Sequence, residues 1–160
     1  MSQTAFPMDQ AWKTLTALLV AQLNGVDVQE VSDKDFNADG DLIMNPPSVR
    51  TYFAGCDYSS TFDNQKLSYD ATGKFMLLCA GQNLQSIAAQ AHASAQLADQ
   101  VCGLIAGARI TLPSGDISEP ITLKSIDPLP VEEIGIAYGV AIEVPGLAQF
   151  PGTNAGVGGS

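Results

Sequence analysis

Apolar residues recur at three- and four-residue steps from Met8 through Ala11, Trp12, Leu15, Leu18 and Leu19 to Leu23. Pro7 stands where the missing N–H of a first helical turn costs nothing, and Asn24-Gly25 is a natural stop. The spacing predicts an amphipathic helix laid against a sheet, with Trp12 in the core or at its rim. A short strand is expected over Val26 to Val31, a polar loop over Ser32 to Pro47, and a second strand over Val49 to Gly55. Asp57 to Thr72, rich in Ser, Asp, Asn and Tyr, reads as an extended hairpin or an exposed loop. Lys74 to Ala80 is apolar on both faces, as expected of a central strand in a covered sheet.

A second, alanine-rich helix is expected over Leu84 to Ala106, with Leu84, Ile87, Ala88, Ala91, Ala95, Ala98, Val101, Cys102 and Ile105 on one face and Gly107 as its cap. Strands follow over Arg109 to Leu112 and Ile121 to Ile126, separated by a turn at Pro113 to Asp116, and Pro128 to Pro130 reads as another turn. The final strand alternates cleanly: Ile134, Ile136, Tyr138, Val140, Ile142 and Val144 against Gly135, Ala137, Gly139, Ala141 and Glu143. Its nearly bare Gly/Ala face is expected to receive the alanine-rich helix, with a neighbouring subunit as the alternative.

These elements describe one α/β (α+β) domain over residues 1–145, a mixed and mostly antiparallel sheet packed against two main helices. Residues 146–160, dominated by Gly, Pro, Asn and Ser, read as a flexible tail. At 160 residues and 46% apolar content the chain has enough material for a single core. No stretch approaches the roughly 20 apolar residues of a membrane-spanning helix, so no membrane partner is expected. Met1 to Gln10 carries no Lys or Arg and contains Asp9, so export by a cleavable signal is not expected and synthesis in a reducing cytoplasm is.

Seventeen acidic against 7 basic side chains give a formal net charge of −10, with the basic residues scattered. That argues against tight nucleic-acid binding, because Lys and Arg on phosphates supply most of such affinity.

Candidate chemistry is sparse. Cys56, Cys79 and Cys102 have no metal or redox spacing, and the single histidine, His92, has no acidic residue one turn away. Nucleophile-elbow, phosphate-loop and dinucleotide glycine patterns are absent, and Glu132-Glu133 reads as solvated charge. No catalytic residue and no cofactor is expected, and the chain is read as a non-enzyme. One weak metal candidate remains: Asp35, Asn37, Asp39 and Asp41, followed by Leu42, follow the alternating grammar of a calcium loop with Gly40 at the turn. Pro46 stands where the bidentate Glu belongs, and an Asx-turn loop explains the same residues.

The path from Val49-Arg50-Thr51-Tyr52-Phe53-Ala54-Gly55 through Lys74 to Ala80 and the helix from Leu84, to Ala98-Asp99-Gln100-Val101-Cys102-Gly103-Leu104-Ile105-Ala106-Gly107, resembles the tail-completion (tail terminator) family typified by Mu-like phages. The stretch from Pro120-Ile121-Thr122-Leu123 to Tyr138 through Val144 fits the same family's last strands, so the resemblance covers most of the chain through element patterns rather than a fixed signature. It implies a structural virion subunit, assembled in a bacterial host's cytoplasm. Copies of it would form a ring, commonly a hexamer, at the head-proximal end of the tail. The ring would end tube and sheath polymerisation and meet a neck or head-completion protein. DNA would pass through without specific binding, past a lumen lined by acidic subunits. Tyr58, Phe62, Tyr69 and Phe150 are the interface candidates within the loop and tail expected to dock on these partners. A head-completion or neck connector is the alternative in the same class, and a calcium-dependent binding module built on Asp35 to Asp41 is the alternative outside it.

Overall fold

The computed structural model describes residues 7–131 and 135–151. Helix α1 spans Pro7–Gln22 and ends where Gly25 takes a φ of +73°, a left-handed turn that glycine adopts without a Cβ clash. Met8, Ala11, Leu15, Leu19 and Leu23 are buried, the predicted stripe. Trp12 sits at the rim, its Nε1 donating to the Thr51 hydroxyl at 2.8 Å, and the Thr16 hydroxyl lies 2.7 Å from that same oxygen.

Strand β1 (Asp27–Glu30) runs parallel to β2 (Ser48–Asp63), which turns back antiparallel into β3 (Lys66–Ala80). Helix α2 (Ile87–Ile105) then crosses the sheet to β4 (Thr122–Val131), and β5 (Gly135–Pro151) returns between β4 and β3. The order β1-β2-β3-β5-β4 makes a mixed, mostly antiparallel five-stranded sheet with β3 at its centre, as the doubly apolar run from Lys74 implies.

Both helices lie on one side of the sheet. Their core joins Leu15, Leu19, Leu97, Val101 and Ile105 to Val49, Phe75, Leu77, Val140, Ile142 and Val144. Each such large side chain contributes about 1.5–3 kcal/mol by leaving water. A smaller cluster on the opposite side packs Met44 from the loop after β1 onto Leu78, Ala80, Val131 and Ala137, with Leu42, Met76 and Leu129 at its margin.

The expected helix register is corrected at its N-terminal end. Ser86 is the N-cap, its side chain accepting from the Ala89 N–H, so Leu84 lies outside the helix, 87% exposed, and Ile87 is exposed in the first turn. The buried line is Gln90, Ser94, Leu97, Ala98, Val101 and Ile105, with Ala91 and Ala95 half-buried beside it. Two polar residues are accepted inside because they are bonded there. Gln90 donates to the Gly81 carbonyl at 2.6 Å and accepts from the Asn83 N–H at 3.1 Å, while the Ser94 hydroxyl accepts from the Gly81 N–H.

The bare face of β5 is corrected as well. Helix α2 packs on the large residues, whereas Gly139 and Ala137 face the opposite side. There a Cβ at Gly139 would come within 3.0 Å of the Met76 sulfur and 3.1 Å of a Leu129 methyl, so cross-strand neighbours fill the space that the missing side chain leaves. Arg109 to Leu112 forms only an isolated bridge, Thr111 to Ile117, and the expected turn at Pro128 to Pro130 is strand. An edge position tolerates those prolines, because one side of the strand needs no N–H. Strand β5 runs on to Pro151, so pairing enters the segment read as a tail. Residues 152–160, like Glu132, Glu133 and Ile134, lie outside the described residues.

Candidate functional site

The polar segment Asp57 to Thr72 takes the hairpin alternative, as the outer half of β2 and β3. Asn64 and Gln65 make its two-residue turn with φ of +51° and +63°. Paired registers set Gly55, Lys74, Glu143 and Thr122 side by side, so this level marks where β4 ends. Beyond it the β2–β3 hairpin continues for about 26 Å at about 3.3 Å per residue. Strand β5 follows it as a third strand, its register reaching Ser68 opposite Pro151. The result is a three-stranded arm projecting from the helix-covered body.

A register shift between Phe53 and Gly55 decides which way the arm's side chains face. Val49, Thr51 and Phe53 face the helices. After the bulge the even-numbered residues take that side, so Cys56, opposite Gly73, packs on the helix-side core. Tyr58, opposite buried Ala71, and Phe62 follow on the same side. Tyr69, opposite Ser60, joins them, and the Tyr58 and Tyr69 rings meet edge-on with centroids 6.4 Å apart. Tyr58's hydroxyl is pushed up by burial and by its bond with Cys56. Phe62, near the tip, is 71% exposed. Three of the four interface candidates therefore share one face of one hairpin. The backbone of Phe150 pairs with Tyr69, and its side chain lies outside the described residues. At the arm's base Lys74 and Asp57 pair at 2.8 Å, an exposed contact of small energetic weight.

The acidic loop is tied to β2 by an arginine. Asp35 accepts from Arg50 Nε at 2.8 Å and from the Ser32 N–H at 2.9 Å, so both of its oxygens are engaged. The Asn37 side-chain oxygen accepts from the N–H groups of Asp39 and Asp41, an Asx turn closing the loop around Gly40. Among the described residues no group of three or more His, Cys, Asp and Glu side chains is placed to hold a metal ion. Burial works to lower the pKa of Arg50, but its bonds to Asp35 and Asp27 outweigh burial and raise it. Arg50 lies inside the first family-like stretch, yet nothing local in the sequence marks it as the loop's anchor.

The remaining chemistry is quiet. Cys79 is buried, its thiol pushed up to about 12 by burial and by Cys102, which makes it unreactive. Burial also pushes up Cys56 and Cys102. His92 stands exposed on α2.

No protein-family model matches the chain, and no curated protein matches it in sequence. Among solved structures it is similar to a chain of the virion of a native gene transfer agent particle. The identity is 12% over 86% of this chain and 92% of that chain, with a TM-score of 0.43.

Proposed function

We propose that this chain is a structural, non-enzymatic virion subunit, and specifically a tail-completion (terminator) subunit. It forms a ring at the head-proximal end of a phage tail, ends polymerisation of the tube and sheath, and meets the neck. The observation that carries the reading is the arm. The helix-covered body extends a three-stranded projection on which the aromatic residues Tyr58, Phe62 and Tyr69 share one face. A projection of this kind costs conformational entropy to order and buries little within its own chain, which suits a subunit that completes its burial on a neighbour. The sequence resemblance to the Mu-like tail-completion family supports the same position in the particle. The net charge of −10 suits a ring through which DNA passes without being gripped.

Antibody-gold labelling of intact particles from the producing source tests the reading, with serum raised against the full chain. Label at the head–tail junction is expected. Label elsewhere, or none on intact particles when disrupted ones react, overturns it. Particles from a strain lacking the chain separate the two roles at that junction: overlong tails mark a terminator, and tails of normal length left unattached to heads mark a connector.

A further inference from the structure

All three antiparallel ladders of the sheet change register in one narrow band. The β2–β3 ladder shifts between Phe53 and Gly55, the β3–β5 ladder between Ala71 and Gly73, and the β4–β5 ladder between Leu123 and Ser125. Followed across the paired residues, β3 passes all three shifts between Ala71 and Met76. Each strand of the arm also carries a glycine there. Gly55 and Gly73 are the only glycines of β2 and β3. On β5, Gly146 belongs to the stretch from Pro145 to Leu147, which stands against the single residue Thr72. Gly55 and Gly146 take φ of +133° and +68°, conformations that residues with a Cβ avoid. Strand β4 ends at this level too, so three interrupted strands alone carry the sheet from body to arm.

We propose that the arm is hinged to the body along the line Gly55–Gly73–Gly146 and swings on it as one unit. A shifted ladder loses hydrogen bonds and lets its strand bend, and here the shifts coincide. The middle of the line is seated in the core, where a Cβ at Gly73 would come within 2.8 Å of the Phe75 ring, 2.9 Å of a Leu147 methyl and 3.1 Å of the Met8 sulfur. The β2 flank is open, since a Cβ at Gly55 would meet nothing within 4 Å. On the β5 flank the Glu119 N–H donates to the Pro145 carbonyl at 3.0 Å. Beyond the line the hairpin pairs without a shift from Cys56–Gly73 to Asp63–Lys66, so bending concentrates in a few residues at the base, as in other hinges. The direction in which Tyr58, Phe62 and Tyr69 point is then set by what the arm docks on. The hinge stands on the sheet alone, and its use in docking rests on the assembly reading above.

The test measures residual dipolar couplings of backbone amides in the full chain, weakly aligned in a stretched gel. The arm, Cys56 to Thr72, and the body, α1, β1 and α2, are fitted separately. The arm is expected to align about 1.5-fold more weakly than the body, because its swing averages the couplings on timescales up to milliseconds. Deleting Ala54, the exposed residue left unopposed between Phe53 and Gly55, restores a regular β2–β3 ladder with every pair and face retained. That deletion is expected to bring the two alignments together. One common alignment in the parent, or a ratio that the deletion leaves unchanged, overturns the hinge. Circular dichroism checks that the variant folds, and the parent's ratio decides by itself if it does not. A common alignment together with gold label at the head–tail junction removes the hinge and leaves the virion reading standing. Separate alignments without label do the reverse.

Discussion

Arg50 Nε lies 2.8 Å from Asp35 Oδ1, with the two side chains only 7% and 6% exposed. The guanidinium also donates to the Asp27 carbonyl at 2.7 Å and to the Asp27 carboxylate at 2.9 Å, tying β1, the acidic loop and β2 together at one point. Removing Asp35 takes away the Nε bond and leaves the buried guanidinium held by the half-exposed Asp27. Asp35→Ala is expected to destabilise the fold by about 1.5–3 kcal/mol, the range for a hydrogen bond to a charged group, read by urea unfolding. A loss below about 1 kcal/mol would mean that Asp27 and water suffice for Arg50.

The pH dependence of this anchor follows from Asp27. Its hydrogen bonds from Gln29 and then Arg50 hold its carboxyl below the usual range, although the side chain is half-exposed. A depressed folded-state pKa contributes stability that is fully present above the unfolded value of about 3.9 and is lost as pH falls through the folded one. The thermal midpoint is therefore expected to fall less steeply between about pH 5 and pH 2 in Asp27→Asn than in the parent. Parallel curves would assign the acid sensitivity to other carboxylates.

Calcium is expected to leave the thermal midpoint unchanged. Asp35 is spent on Arg50 and the Ser32 N–H, and Asn37 on the turn, which leaves Asp39 and Asp41 too few for a six- to eight-oxygen shell. A calcium-induced rise in the midpoint that Asp39→Ala abolishes would restore the binding-module reading.

Gly81, just after β3, lies against the backbone of α2. A Cβ there would stand 2.3 Å from the Ala93 carbonyl carbon and oxygen, both backbone atoms of the helix. Gly81→Ala is expected to cost about 3 kcal/mol or more, because the helix must move and the Gln90 and Ser94 bonds to Gly81 stretch with it. Gly103→Ala is the control, since a Cβ there meets nothing within 4 Å, and it is expected to be neutral or slightly stabilising.

Thr51 holds the rim of the first core. Replacing it with Val keeps the shape but removes the hydroxyl that Trp12 Nε1 and Thr16 share. A loss of about 1–2 kcal/mol is expected, with altered tryptophan emission in the folded state, since Trp12 is the single tryptophan. Unchanged emission would show that the neighbouring Thr51 carbonyl, 3.2 Å from the indole nitrogen, suffices.

Local pattern alone sets the two helices, the α1 stripe, the central place of β3 and the alternation of β5. In each, an apolar period of 3.6 or 2 over many residues admits one solution. It also placed Tyr58, Phe62 and Tyr69 in an exposed polar segment. How those residues are arranged was settled by long-range pairing. A polar hairpin and a polar loop have the same composition, and the difference is the ladder supplied by β5, more than 60 residues away along the chain. The bulge at Gly55 turned the arm's face by one residue, which a pattern of mostly polar residues cannot report. The same holds for α2, where alanine lies on several sides of the helix and hydrophobicity cannot choose among them. The choice fell to Gln90 and Ser94, because their hydrogen bonds to Gly81 exist only once helix and sheet have met. Local sequence carries periodicity well, but a polar group's place inside depends on a partner distant in the chain, and that partner appears only on folding.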